Sequence, residues 1–284
     1  MSVLRDFFAG KDILPYDKHY FKDLTEIILV KNGVKNVCLL AYEQKYFDRE
    51  YKELKEFAEE NGLKLKIYHV RNEYTSKDIS YENEIHIALY REEYEFGALD
   101  DKEYTTKNNP TILGYPDCCV EKMYNDPVYD YMNSRFDELC DSTERTSLPY
   151  VTNPFMMRTP FHIIVHRPCS LECKETLKQG IRNIKIIMKE NIYFARKLRY
   201  LNKKIFLFIY RDNLCLIFDG IFENGRICYK KVLHNGGDME LENIKEKFKK
   251  GDSFIMKDNI IIIEKNKTMI DKIHLYNYKL FNFY

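Results

Sequence analysis

The chain has 284 residues, of which 45% are hydrophobic and 31% are charged, and its formal net charge is +1. This is the balance of a folded globular protein, and it excludes wholesale disorder. A net charge this close to zero also excludes binding of nucleic acid or anionic lipid over the whole surface, so such binding needs a local patch. No apolar run approaches the length of a membrane span, and the charged N-terminus lacks the apolar stretch of a signal peptide. We therefore expect a cytoplasmic protein with no membrane partner.

The first ninety residues have the periodicity of an α/β fold. Apolar residues recur at helical spacing around 24–28 and 47–61, whereas 34–42 is an apolar run and 63–70 alternates as a strand does. A further strand is predicted at 84–91. Strand, helix and strand at this spacing predict a parallel βαβ unit with a right-handed crossover.

The central region is predicted to be mainly helix and loop. Proline and glycine punctuate a loop at 105–117, and helices are expected from about 117 to 125 and from about 129 to 140. Residues 161–166 alternate in the manner of a strand. A long amphipathic helix is predicted to follow, from about 171 to 201.

From residue 205 the pattern changes to short strands joined by turns. The turns at 211–213 and 223–225 have the composition of β-hairpins, which predicts a small antiparallel β unit. We therefore divide the chain into an α/β domain at 1–203 and a mainly antiparallel β subdomain at 204–284. The expected fold class is α/β, or α+β overall, with an N-terminal parallel sheet, a central helical region and C-terminal antiparallel strands.

Two short motifs each place a pair of cysteines at a predicted helix start. In the first motif, GYPDCC, glycine and proline fix a turn, Asp117 is suited to be the N-cap, and Cys118 and Cys119 fall in the first helical turn. The positive end of the helix dipole stabilises a thiolate at such a position. Adjacent side chains point about 100° apart around a helix, so only one of the two cysteines is expected to face a shared ion.

The second motif, HRPCSLEC, runs from His166 to Cys173. Pro168 turns the chain after the predicted strand, and Cys169 opens the next predicted helix. Because Cys169 and Cys173 are four residues apart, on a helix they would lie on one face, one turn apart. Two thiols placed in this way can share one metal ion.

The repetition of this arrangement predicts a metal site between the two helix starts. One or both of Cys118 and Cys119 would bind the metal together with Cys169 and Cys173. His166 would be a further ligand, or the remaining position would be left open for a substrate. Thiolate ligands suit an iron–sulfur cluster, which is our first expectation, or Zn²⁺. The corresponding function is a redox or sulfur-handling enzyme whose reaction and substrate stay open.

The pairing of GYPxCC with HxPCSxxC, about fifty residues apart, resembles an uncharacterised group of prokaryotic, mostly archaeal, proteins known only as a domain of unknown function. The resemblance covers mainly residues 110–180. It implies that the two motifs act together, and it implies no particular reaction. The matching residues are Gly114, Tyr115, Pro116, Cys118, Cys119, His166, Pro168, Cys169, Ser170 and Cys173.

Other interpretations of these cysteines stay open. Without a metal, one of the four thiols would be a nucleophile with His166 as its base, in sulfur transfer or thiol redox chemistry. With structural zinc or a disulfide, they would cross-link two segments of a non-catalytic binding protein. As buried small hydrophobes they would only fill the core. That last interpretation is the one we favour for the other cysteines: Cys38, Cys140, Cys215 and Cys228.

Basic residues recur along the predicted helix that follows the second motif: Lys174, Lys178, Arg182, Lys185, Lys189 and Arg196. This basic row could receive a small anionic substrate or RNA, but acidic residues interleave with it, which is more typical of a solvated face. A redox partner is expected if the site carries electrons.

The P-loop, GxGxxG, GxSxG and HExxH patterns are absent from the sequence, so the nucleotide-binding and catalytic sites that they build are not expected. Oligomeric state is not specified by the sequence.

Overall fold

The computed structural model describes residues 3–11, 23–68, 84–91, 111–125, 139–140, 143, 147–157, 159, 161–209, 214–235, 239–257, 259–275 and 278–284. The fold is α+β. The helices are α1 (Val3–Phe8), α2 (Leu24–Lys31), α3 (Gln44–Glu60), α4 (Asp117–Asn125), α5 (Lys174–Glu190), α6 (Ile192–Asn202) and α7 (Met239–Lys250). The strands are β1 (Val37–Glu43), β2 (Lys64–Tyr68), β3 (Glu84–Tyr90), β4 (Ser147–Leu148), β5 (Ile205–Ile209), β6 (Leu214–Glu223), β7 (Arg226–Asn235), β8 (Ser253–Lys257), β9 (Ile260–Lys265), β10 (Thr268–His274) and β11 (Tyr278–Phe283). Among these helices, none is both long enough and apolar enough to cross a bilayer.

The N-terminal sheet has the strand order β1-β3-β2, and both of its pairings are antiparallel. The predicted strands and the helix between the first two are confirmed, but the parallel pairing of those two strands is wrong because β3 lies between them. The burial of each strand explains the order. Ile85, Ile87 and Leu89 are buried on β3, as a central strand requires, whereas Lys64 and Lys66 expose one side of β2, as suits an edge.

The C-terminal strands form one eight-stranded sheet in the order β10-β9-β8-β7-β6-β5-β11-β4. All pairings are antiparallel except that of β11 with β4, which is parallel. The hairpin predicted at 223–225 is confirmed: Asn224 and Gly225 have φ angles of 51° and 75°, as the two central residues of a tight hairpin turn require. The turn predicted at 211–213 lies outside the described residues. The division at residue 203 stays a prediction, and β4 joins this sheet from earlier in the chain.

The long helix predicted from about 171 to 201 is two helices, α5 and α6, that meet at Asn191. Asn191 has extended backbone angles, and its side-chain oxygen accepts a hydrogen bond from the Phe194 amide as the N-cap of α6. Its side-chain nitrogen donates to the carbonyl of Phe7 at 2.8 Å. The helix is therefore interrupted by a local cap and a contact with the N-terminal helix, although the apolar pattern of the sequence is continuous.

The strand predicted at 161–166 is wrong, because this segment is an irregular chain packed inside the protein. Its carbonyl groups accept hydrogen bonds from side chains instead of from a neighbouring strand. Thr25 donates to the His162 carbonyl at 2.7 Å, and Asn183 donates to the Ile163 carbonyl at 3.0 Å. Because buried carbonyls need partners, these distant polar side chains make a buried loop stable.

The predicted helix at 129–140 lies almost wholly outside the described residues; residues 139 and 140 are helical. The first part of the predicted loop at 105–117 also lies outside them. In the part that is described, residues 111–116 lead directly into α4. This connection matters because it carries the first cysteine motif.

The packing of α5 depends on the absence of a side chain at Gly180. A Cβ atom added there would lie 2.3 Å from the backbone oxygen of Val151. We expect Gly180→Ala to lower the free energy of unfolding by about 1–3 kcal/mol, because backbone cannot yield as a flexible side chain can. Denaturant titration measures this effect. Lys185→Ala, on the exposed side of the same helix, is the control and should change stability by less than about 0.5 kcal/mol. Equal stability of the two variants would contradict the close packing of α5 on residue 151.

Candidate metal centre

The two cysteine motifs meet in space. The Sγ atoms of Cys118, Cys119, Cys169 and Cys173 all lie within 4.8 Å of one another. Cys118 and Cys119 are 3.9 Å apart, and their distances to Cys173 are 3.7 and 3.8 Å. These four cysteines are close enough to bind one metal, which confirms that the motifs form a common site.

The first motif places both of its cysteines in the first turn of α4. The helix runs from Asp117 to Asn125, which confirms the predicted range, and the Pro116 carbonyl accepts hydrogen bonds from the amides of Cys119 and Val120. The expectation that only one of Cys118 and Cys119 would face a common centre is wrong. Although the Cα–Cβ bonds diverge around the helix, each sulfur can rotate about its own Cβ, and the two reach the same point.

The second motif precedes α5 instead of lying on it. Cys173 is the N-cap residue of α5, and its sulfur accepts a hydrogen bond from the Thr176 amide at 3.5 Å. Its own amide donates to the Ser170 carbonyl, which closes a turn between Cys169 and the helix. The prediction of two thiols one helical turn apart is therefore wrong in its local geometry. The two sulfurs, those of Cys169 and Cys173, are brought together by a tight turn before the helix and not by a turn of the helix.

Both helices direct their N-termini at the sulfurs. Cys118 and Cys119 lie at the start of α4, and Cys173 caps the start of α5. The unpaired amides of a first helical turn carry partial positive charge, which stabilises anions. Two helix starts therefore favour the negative charge that a set of thiolates would bring to this site.

His166 lies next to the four cysteines but is not one of the group. It is buried, and its Nε2 is 2.9 Å from the hydroxyl oxygen of Thr176. That hydroxyl is in turn 3.5 Å from the sulfur of Cys119. Burial, assisted by the nearby charge of Lys35, lowers the pKa of His166 to about 3, so the imidazole is neutral. His166 was predicted as a possible fourth ligand, but the group already has four sulfurs because both Cys118 and Cys119 belong to it.

Three residues outside the motifs support the site, and the sequence analysis did not select them. Thr176 links His166 to two of the sulfurs. Gln179 donates to the carbonyl of Gly114 at 3.0 Å, and the Lys35 ammonium lies 6.0 Å from the centre of the Tyr115 ring. Thr176 and Gln179 could have been found from the sequence, because they are polar residues three and six places after Cys173, on the buried face of the helix.

Burial opposes ionisation of most of the thiols. It raises the pKa of Cys118, raises that of Cys119 strongly, and raises that of Cys169 to about 12. Cys173 differs: burial also disfavours its thiolate, but hydrogen bonds from Thr176 and from neighbouring thiols outweigh it and lower the pKa to about 7. Cys173, at the helix cap, is therefore the thiol of this group that ionises most readily.

If the four cysteines bind one metal ion, these pKa shifts predict a steep pH dependence of its binding. A thiol must lose its proton to bind the metal, and above about pH 7.5 only Cys173 has already done so. Three protons are then released for each ion bound, so the apparent association constant should rise by about three powers of ten per pH unit up to about pH 8.5. Competition with a chelator of known proton affinity measures this slope. A slope of one or less would contradict four-thiolate binding.

The remaining cysteines are away from this group. Cys38, Cys140 and Cys215 are buried in apolar clusters, which confirms them as core residues. Cys228 is half-buried on β7. In the part of the chain that the structure describes, no other three or more metal-binding side chains come together.

The basic row on α5 faces solvent, as its composition indicated. Lys174, Lys178, Arg182, Lys185 and Lys189 are all exposed, and Lys178 pairs with Glu175 at 2.6 Å. An exposed pair of this kind contributes little to stability. The row is a solvated face of the helix.

The chain matches no family model, no curated protein and no solved structure. The chemistry of the site therefore follows from its own geometry.

Proposed function

We propose that this is a zinc-binding protein in which Cys118, Cys119, Cys169 and Cys173 hold one Zn²⁺ ion. The observation that carries the proposal is the spacing of the sulfurs. In a tetrahedral site with Zn–S bonds of about 2.3 Å, neighbouring sulfurs stand about 3.8 Å apart. The three separations among Cys118, Cys119 and Cys173 are 3.7, 3.8 and 3.9 Å and fit that tetrahedron, and the Cys169 sulfur lies within 4.8 Å of the other three.

The same spacing favours zinc over the iron–sulfur cluster that was our first expectation. A cluster distributes its cysteine ligands over two or four iron atoms, with sulfide between them. Ligands bound to different irons stand further apart than ligands of a single ion. Four sulfurs within 4.8 Å of one another therefore support a mononuclear centre.

The zinc ion would be a structural staple. Four thiolates complete a tetrahedron, and closed sites of this kind are typical of zinc that supports folding. The ion would join the start of α4 to the start of α5, two segments about fifty residues apart in the chain. It would thereby fix the N-terminus of α5 against the buried loop at 161–168.

The metal-free alternative, a cysteine nucleophile with His166 as its base, has less support. The imidazole Nε2 is hydrogen bonded to Thr176, which stands between the histidine and Cys119. The lowered pKa of His166 also makes it a poor proton acceptor at neutral pH. Its position fits an outer role, in which it orients the threonine hydroxyl toward a bound thiolate.

We further propose that the chain belongs to the uncharacterised, mostly archaeal, group that it resembles, and that it acts in the cytoplasm. The support is that the cysteines which the two motifs contribute are the four that form one cluster. A reducing cytoplasm would keep these thiols free to bind zinc.

The test is elemental analysis of protein purified without oxygen and without chelators. We expect about one zinc per chain, little iron, no acid-labile sulfide and a colourless solution. Cys228→Ser, a matched control outside the group, should retain the zinc. Stoichiometric iron with sulfide would overturn the proposal in favour of a cluster, and folded protein without metal would overturn both.

A further inference from the structure

The four sulfurs fall into an inner pair and an outer pair. The inner pair, Cys119 and Cys173, is 4% and 6% exposed. Its sulfurs lie within hydrogen-bonding distance of the Cys169 amide at 3.3 Å and of the Thr176 hydroxyl and amide at 3.5 Å each. The outer pair, Cys118 and Cys169, is half-buried, and within the described residues the hydrogen-bond partners of its sulfurs are other cysteine sulfurs.

This difference bears on chemical reactivity. A thiolate is the nucleophilic form of cysteine, and donors that stabilise its charge make it less reactive. Four thiolates around one Zn²⁺ ion leave a net charge of −2, so electron density stays on the sulfurs. The outer sulfurs combine that charge with access to solvent and with no N–H or O–H donor from the described residues.

We propose that the outer pair, Cys118 and Cys169, accepts alkyl groups from small electrophiles. The proposal rests on the zinc site proposed above and gives that site a chemical activity beyond folding. Its substrate class is a small carbon electrophile with a good leaving group, such as an alkyl halide or an alkylated phosphate.

The transfer is a simple substitution. A lone pair on the outer sulfur forms a bond to the alkyl carbon, and the bond from that carbon to the leaving group breaks. The leaving group departs with the bonding electrons, so nothing is oxidised or reduced and no proton is needed. The product is a neutral thioether, so the net charge of the site changes from −2 to −1. Because nothing in the site regenerates the thiolate, each sulfur reacts once.

The experiment alkylates the zinc-loaded protein with iodoacetamide and identifies the modified cysteines by peptide mass spectrometry over time. Cys228 is the internal reference, because it is also half-buried but lies outside the metal group. Because zinc keeps the outer thiols in their nucleophilic, deprotonated form, we expect the outer pair to react about tenfold faster than Cys228. Between pH 7 and pH 6 the rate at the outer pair should change less than about twofold, because zinc keeps it deprotonated, whereas the rate of a free model thiol such as glutathione falls about tenfold.

Zinc content measured on the same samples separates the two proposals. If one zinc is bound and the outer pair reacts no faster than Cys228, or slows between pH 7 and pH 6 as much as a free model thiol does, the alkyl-acceptor role is overturned and the zinc site stands. Modification of the inner pair first would also overturn it. If no zinc is bound, both proposals fail. In Cys228→Ser the rates at the outer pair should be unchanged, which shows that the reference thiol does not influence the site.

Discussion

Replacing Cys173 by serine is expected to abolish zinc binding and to lower the free energy of unfolding by about 4 kcal/mol. The magnitude is the mass-action stabilisation by a ligand present at about a thousand times its dissociation constant. Cys173 Sγ lies between two other sulfurs of the group, at 3.7 and 3.8 Å. Serine is the sharpest replacement, because its hydroxyl can still accept the Thr176 amide hydrogen at the helix cap. The variant thus removes the metal ligand and retains the cap.

The measurement is denaturant unfolding with excess zinc and with excess chelator. Chelator should destabilise the wild-type protein to the level of Cys173→Ser, and it should leave the variant unchanged. Cys228→Ser is the matched control and should respond to chelator as the wild type does. A wild-type protein that contains zinc and unfolds identically with and without chelator would contradict the structural role.

The loss of zinc should act locally. Residues 114–125 and 166–176 are the segments that the ion would join, so their amides should lose hydrogen-exchange protection first. The C-terminal sheet has its own apolar cluster, which includes Phe218, Phe248 and Phe254, and it should keep its protection. Uniform loss over the whole chain would mean that the ion stabilises more than this junction.

The site could be predicted because its metal-binding residues lie in two short, contiguous sequence motifs. Each motif combines a proline turn with two cysteines, and two such turns at helix starts indicate sulfurs that meet. The local geometry was less predictable. The start of α5 at Lys174 puts Cys169 in the preceding turn, and the sulfur positions of Cys118 and Cys119 depend on side-chain rotation that the helix period does not specify.

The fold shows the same limit for elements whose partners lie far away in sequence. Residues 161–166 alternate like a strand, yet both sides of the segment are buried and its carbonyls bind side chains such as Thr25 and Asn183. The order of the first sheet likewise depends on β3 entering between two strands that were already joined by a helix. The spacing of apolar residues indicates which face of an element will be buried. It does not indicate which other part of the chain will cover that face.

Replacing Lys35 by methionine is expected to lower the free energy of unfolding by about 3–5 kcal/mol. Its ammonium forms an ion pair with the Glu26 carboxylate, and the two side chains are 1% and 8% exposed. The other carboxylate oxygen of Glu26 has no hydrogen-bond partner among the described residues. Without the lysine, the carboxyl group of Glu26 would be buried with no compensating cation, which is costly. Denaturant unfolding measures the loss.

A second variant separates the ion pair from the metal centre. Lys35→Met with Glu26→Leu replaces both charges by apolar groups of similar volume, so it should recover most of the lost stability. A double variant as unstable as the single one would contradict the unpaired-charge explanation. The lysine stem lies next to Gly114. Methionine keeps that stem in contact with the first motif, so zinc stoichiometry should stay at one per chain in both variants. The chelator-induced destabilisation should then equal that of the wild type, because a charge pair and a metal site that do not share ligands contribute additively.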